Sequence, residues 1–368
     1  MAELTDPGDH PGPVRRGAFF IPWIGTNGSM VAERSLELGA DFLSVSVKDS
    51  MGRSWSRSDV VPTWKLRDDP FADLCEALHE AGMSVRASVA VFADAYAADR
   101  WPDAVAVGND TVSAQRPGWA EDWYYHLCPV QDRQRDRTLA FIDELARRYP
   151  LDGVDLDFIR FPWKPARDQT PARDFCYCPT CQKRFTASTG AEVAQLHDPA
   201  VCGSWESWRT GAITSMVESV RDITASHDIT LSCFLAFWGS DGLGSAELPK
   251  ARARFGQDHA ALGSICDEVA PMLYHRFTDE PTCHISRSIR WVRDITWHLR
   301  ELDVRVCAAI QGGPPASPGE ITDAVHGAVD AGAAAVMSYP GLSWSIDNEY
   351  WAALARAYAE LTSLAEKN

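Results

Sequence analysis

The chain has 368 residues, 45% hydrophobic and 23% charged, which suits one large globular domain or two of ordinary size. A formal net charge of −16 argues against nucleic acid or an anionic membrane as a partner. No apolar run is long enough to cross a membrane, and the polar opening 1–16, rich in Pro, Gly and Asp, lacks the apolar core of a signal peptide; the segment is read as flexible and the expected location is the cytoplasm.

Strand-like and helix-like stretches then alternate. A first strand is expected over Gly17–Trp23, then a helix over Ala32–Leu38 closed by Gly39. A second strand over Asp41–Val47 leads to a helix over Pro70–Ala81, again followed by Gly. The third strand, Ser84–Phe92, precedes a polar stretch, 94–123, and the helix Asp132–Arg148 with Leu139, Phe141, Ile142 and Leu145 on one side. The fourth begins at Gly153, and a second polar stretch, 163–205, separates it from a helix over Ser204–His227. Ile229–Phe237 and Asp267–Tyr274 read as strands five and six, and Ser286–Leu302 as the next helix. Strand seven, Val304–Ile310, is followed by a helix from Pro318 to Ala331 whose start after Ser317 looks capped. Strand eight, Ala333–Tyr339, precedes a last helix over Asn348–Leu364.

Eight β-then-α units predict an α/β chain folded as a (β/α)₈ TIM barrel, one domain over 17–368 with loop insertions after strands three and four. The competing fold is an open, doubly wound sheet. Its first strand would run into a Gly-rich phosphate loop, whereas here it runs into Pro22-Trp-Ile-Gly-Thr-Asn-Gly28. Loops that follow barrel strands lie on the catalytic face, so both insertions are expected to shape a cleft.

The fourth strand carries the strongest chemical signal, Gly153-Val-Asp-Leu-Asp-Phe-Ile-Arg160. Alternation puts Asp155 and Asp157 on one face, and two adjacent acids in a buried strand are costly unless something engages them. Asp157, nearest the strand end, is the expected nucleophile or base. Asp155, one pleat deeper, is expected to hold a neighbour or tune Asp157's protonation. Arg160 is placed to pair with Asp157 or to contact a substrate oxygen. The competing reading is a buried ion-pair network that only closes the barrel. Asp241 after strand five is the candidate general acid, and His275 a second possible proton donor. Converging strand ends add Lys48, Tyr274, Gln311 and Tyr339, with Trp23 and Trp238 as sugar-stacking surfaces.

The second constellation is Phe175-Cys-Tyr-Cys-Pro-Thr-Cys181. Cys176, Cys178 and Cys181 make a C-x-C-x-x-C knuckle suited to a tetrahedral ion such as zinc, and all-sulfur coordination would make that ion structural. Cys128 is the first choice for the fourth ligand, with Cys202 and His197 as alternatives; a disulfide plus a free thiol, or three reduced thiols, is the plainer outcome.

At these residues the chain resembles the hypothetical glycosyl-hydrolase-like barrel families, whose shared line runs approximately D-G-[VI]-[HD]-[LF]-D-[YF]-x-[RF]-[YF]-P. Met272-Leu-Tyr-His-Arg276 and Val336-Met-Ser-Tyr-Pro340 resemble later strands of the same group. The knuckle is similar to the zinc cluster of family 42 β-galactosidases, in which an earlier Cys joins a C-x-C-x-x-C. The resemblance implies a (β/α)₈ fold and carbohydrate hydrolysis, with Asp157 as the persistent acid and Arg160 its basic partner. Asp155 replaces a frequent His. Family 18 chitinases share D-G-x-D-x-D-x-E, but Ile159 stands at their catalytic Glu, and the Glu residues that family 42 uses on strands four and seven have no counterpart here.

The expectation is a glycoside hydrolase acting through a carboxylate pair at the C-terminal face. Its partner is a carbohydrate, its metal a structural zinc, and no organic cofactor is expected. The alternatives are a degenerate, non-hydrolytic carbohydrate-binding barrel, or a metal-dependent hydrolase or lyase with Asp155, Asp157 and His275 as ligands.

Overall fold

In the computed structural model, residues 13–23, 25–66, 68–111, 113, 125–163, 172–237, 247–277, 280–297, 304–340 and 348–365 are described. The strands are β1 (Arg15–Phe20), β2 (Phe42–Lys48), β3 (Ser84–Ala90), β4 (Gly153–Asp157), β5 (Thr230–Leu235), β6 (Glu268–Leu273), β7 (Arg305–Gln311) and β8 (Ala335–Tyr339). Each pairs in parallel with its chain neighbour, and β1 pairs with β8, so the sheet closes on itself in the order of the sequence. The open, doubly wound alternative is excluded by that closure, and the fold is a (β/α)₈ TIM barrel.

The helices are α1 (Gly28–Leu38), α2 (Pro70–Glu80), α3 (Ala95–Arg100), α4 (Asp132–Arg148), α5 (Pro179–Thr189), α6 (Pro199–Ser226), α7 (Glu247–Phe255), α8 (His259–Ile265), α9 (Cys283–Trp297), α10 (Pro318–Asp330) and α11 (Asn348–Ala365). Four of these, α3, α5, α7 and α8, are not expected from periodicity; α3 with six residues and α8 with seven are too short to display a full amphipathic stripe. Strand β1 starts at Arg15, inside the segment expected to precede the barrel, because Arg15 and Arg16 pair with Ala335 and Val336 of β8. Helix α6 likewise begins within the second insertion, at Pro199 after the capping Asp198. The Ser317 start is a full capping box, with Ser317 and Glu320 satisfying each other's backbone N–H groups. Among the described residues, no helix is long and apolar enough to cross a membrane.

Two apolar layers hold the barrel. The larger lies between sheet and helices and includes Val45, Val89, Leu156, Phe141 and Leu273. The smaller fills the interior with Phe19, Phe42, Phe234, Met272, Ala309 and Met337. The Phe42 ring occupies the position a side chain at Gly17 would take: a Cβ there would lie 2.1 Å from the ring's Cζ. Glycine at that position lets an aromatic ring cross the narrow interior.

Candidate active site

The β4 pattern becomes a geometric fact inside the ring. The Asp155 carboxylate accepts from Ser44 Oγ on β2 and from Arg86 on β3, both at 2.5 Å. The same guanidinium donates to Glu268 on β6, also at 2.5 Å. A group on β4 that meets β2 and, through one arginine, β6 can only point into the barrel. Gly153 makes room for it, since a Cβ there would lie 3.0 Å from Arg86 Cγ. Burial raises the Asp155 carboxyl above its ordinary range against the pull of Arg86 and Ser44, and Glu268 pushes it the same way. The interior thus holds one cation and two acids, all buried.

Asp157 leaves the same face one pleat higher, at the C-terminal end of β4, and its side chain keeps 23% of its exposure. Its Oδ1 accepts from the N–H of Phe158 at 2.7 Å and lies 3.9 Å from the Arg160 guanidinium. Among the described residues, Oδ2 has no hydrogen-bond partner. Phe158 turns the chain with φ of +50°, a conformation rare for a bulky residue. That turn lets Arg160 fold back with its guanidinium 4.6 Å from the Phe158 ring centre. Burial raises the Asp157 carboxyl, while Arg160 and the Phe158 N–H draw it down and Asp155 adds to the rise. His126, buried with its ring 5.7 Å from that of Phe158, has its pKa pulled down by burial and by Arg160, so it stands there as a neutral imidazole.

Two tyrosines complete the mouth. Tyr274 and Tyr339 stack at 5.0 Å, and Tyr339 leans on Phe19 at 5.1 Å. Burial, Tyr339 and Asp157 raise the Tyr274 hydroxyl well above its ordinary value; burial and Asp157 push Tyr339 up to about 12. Asp157 is therefore close enough to be felt by both phenols, and both remain protonated donors at neutral pH.

Other candidates are placed differently. Lys48 is buried, with Nζ 3.0 Å from Asp94 Oδ2 and donating to the carbonyls of Ala90 and Ala93, so its donors face the protein. Gln311 is buried and bonded at both ends, accepting from the Arg276 N–H at 3.1 Å and donating to the Gly313 carbonyl at 3.0 Å. His275 is buried with its pKa lowered by that burial. Trp23 packs edge-on against Phe20 at 5.6 Å, in the sheet–helix layer. Trp238 and Asp241 lie outside the described residues. Arg86, Glu268, Ser44 and His126 escape the sequence reading. Only position hints at them: Arg86 and Ser44 are polar residues inside apolar strands, and His126 stands shortly before Cys128.

The cysteines converge. Cys128, Cys176, Cys178 and Cys181 are all buried, with their sulfurs within 4.8 Å of one another. Cys128 Sγ lies 3.2 Å from Cys181 Sγ and 3.7 Å from Cys178 Sγ. A tetrahedron with metal–sulfur bonds of about 2.3 Å has edges of about 3.8 Å, so this set could hold a metal ion. Among the described residues it is the one such group of His, Cys, Asp and Glu side chains. Asp155, Asp157 and His275 do not form another, because Asp155 is spent on Arg86 and Ser44. The Val107 N–H donates to Cys176 Sγ at 3.2 Å, and Tyr177 and Asp174 pair with Val107 and Asn109 through the backbone. The cluster thus joins the two insertions, which carry loops after β3 and β4.

No protein-family model and no curated protein sequence matches the chain. Solved structures do. A β-galactosidase from the psychrophilic Marinomonas ef1 superposes with a TM-score of 0.68 at 13% identity, over 96% of this chain and 60% of its own. A β-galactosidase from the Antarctic haloarchaeon Halorubrum lacusprofundi gives 0.67 at 14% identity, over 95% and 58%. Alpha-L-fucosidase isoenzyme 2 from Paenibacillus thiaminolyticus gives 0.61 at 16% identity, over 95% and 49%. At such identities the likeness is one of fold, and the chain spans about half to three-fifths of these proteins.

Proposed function

We propose that the chain is a glycoside hydrolase whose reacting carboxylate is Asp157. One observation carries the reading: at the mouth of the barrel, Asp157 stands beside Arg160 and within the field of the stacked pair Tyr274–Tyr339. The Phe158 N–H holds Oδ1 with Arg160 nearby, which leaves Oδ2 to attack a sugar carbon or to take a proton from water. The two phenols supply donors to sugar hydroxyls, and their rings a surface for the apolar face of a pyranose. The similarity in fold to a β-galactosidase and an α-L-fucosidase is consistent with this chemistry. The general acid is proposed to be Asp241, which follows β5 in the sequence. A separation of about 5–5.5 Å from Asp157 would give retention, and one of about 6.5–9.5 Å inversion.

The four cysteines are proposed to hold zinc. Bound there, the ion supplies no step of the reaction; with every ligand a thiolate it fixes the two cleft-forming insertions to each other.

A screen of aryl glycosides and oligosaccharides tests the reading, run beside Asp157→Asn. Turnover of at least one substrate is expected, falling about a thousandfold or more in the variant. Turnover undamaged by the substitution removes Asp157 from the mechanism; no turnover by folded wild-type chain across the panel refutes the class.

A further inference from the structure

The aromatic wall does not stop at the tyrosine pair. Phe19, Tyr339 and Tyr274 rise from the barrel interior, and the Phe277 ring continues the row edge-on to Tyr274 at 6.2 Å. Phe277 is 58% exposed, the most exposed of the large apolar side chains described. Residues 274–277 and 280 beside it are nonetheless held by their neighbours. The Phe277 N–H donates to the Tyr274 carbonyl at 3.0 Å, and the Glu280 N–H to that of His275 at 2.7 Å. Gln311 grips the backbone N–H of Arg276, and the Arg276 guanidinium pairs with Glu320 on α10. A phenyl ring presented to water by a tied-down turn, in contact with the tyrosine pair that Asp157 acts on, loses little entropy on meeting a ligand. Its face offers negative charge density to the weakly positive C–H groups on the apolar face of a pyranose.

We propose that Phe277 forms an outer sugar-binding subsite, so that the substrate is an oligosaccharide or polysaccharide running from Asp157 past Tyr274 to Phe277. The proposal rests on the glycoside reading and names the size class of its substrate. Gln311 and Glu320 act as positioning residues for the platform.

The test is calorimetric binding of single sugars and short oligomers of the gluco, manno, galacto and xylo series. It uses the full chain as wild type, Phe277→Ala and Phe277→Trp. In the series that binds, affinity is expected to rise about two- to tenfold once the oligomer is long enough to reach Phe277. The rise disappears in Phe277→Ala and returns in Phe277→Trp, while the single sugar binds all three alike. A length-dependent gain that survives Phe277→Ala overturns the subsite. Wild-type chain that binds and cleaves single-sugar glycosides with no gain from added rings also overturns it, and leaves the glycoside reading standing. If Phe277→Ala weakens aryl glycosides alone, the ring serves an aromatic leaving group and the assignment falls. No binding and no cleavage of any member overturns both.

Discussion

Replacing Arg86 by Met isolates the charge balance of the barrel interior. In the native chain one guanidinium meets Asp155 and Glu268, each at 2.5 Å, with all three side chains buried. The substitution leaves two carboxylates in the interior without a cation. Removing one partner of a buried pair costs about 3–5 kcal/mol, and with two acids orphaned the loss is expected at the upper end of that range. Glu268→Gln makes the opposite change: it turns one cation and two acids into a balanced pair, and stability should stay within about 1 kcal/mol of wild type. The pH response has a definite sign. The Asp155 carboxyl is raised in the folded chain, so its protonated form contributes stability below the ordinary aspartate value, lost as pH rises through the raised one. Removing Arg86 raises it further. The deficit of Arg86→Met is therefore largest at neutral pH and narrows on acidification. Urea denaturation followed by tryptophan fluorescence near neutral pH and again near pH ~5 measures both effects. The reasoning fails if Arg86→Met costs no more than Glu268→Gln, or if its deficit is the same at both pH values.

Asp157→Asn should lose turnover while gaining about 1 kcal/mol of stability, since it removes a half-buried charge that Arg160 meets only at 3.9 Å; a fall in melting temperature would contradict this. In Arg160→Met, the acid limb of the pH–rate profile should move to higher pH, because the cation that favours ionised Asp157 is gone; an unmoved limb would show that Arg160 does not act on it. Cys178→Ser should lower bound zinc, measured by elemental analysis, from one equivalent per chain to well below that. It should also open 172–190 to limited proteolysis, and full zinc retention would remove Cys178 from the ligand set.

Period-two alternation in β4 is enough to place both aspartates on one face, and 3.6-residue periodicity with Arg147 and Arg148 at its end delimits the helix Asp132–Arg148. Strand count and order carry the barrel, because each βα unit is a local pattern that repeats. The short helices stay hidden, since six or seven residues cannot show a stripe. The roles of the polar residues are legible only in part, because a strand says which face a side chain takes and nothing of what faces it.

What the sequence determined by itself was therefore local: element type, face and order, and a triple-cysteine knuckle whose spacing suits a metal ion. Closure of the ring decided the rest. It brought Arg86 and Glu268 from other strands onto Asp155, set Lys48 against Asp94 inside the protein, and carried Cys128 across 53 residues to Cys181 of the knuckle. The reason is physical. A buried charge must find its counter-charge wherever the fold puts one, and that distance is measured through space, across strands whose separation along the chain carries no trace of it.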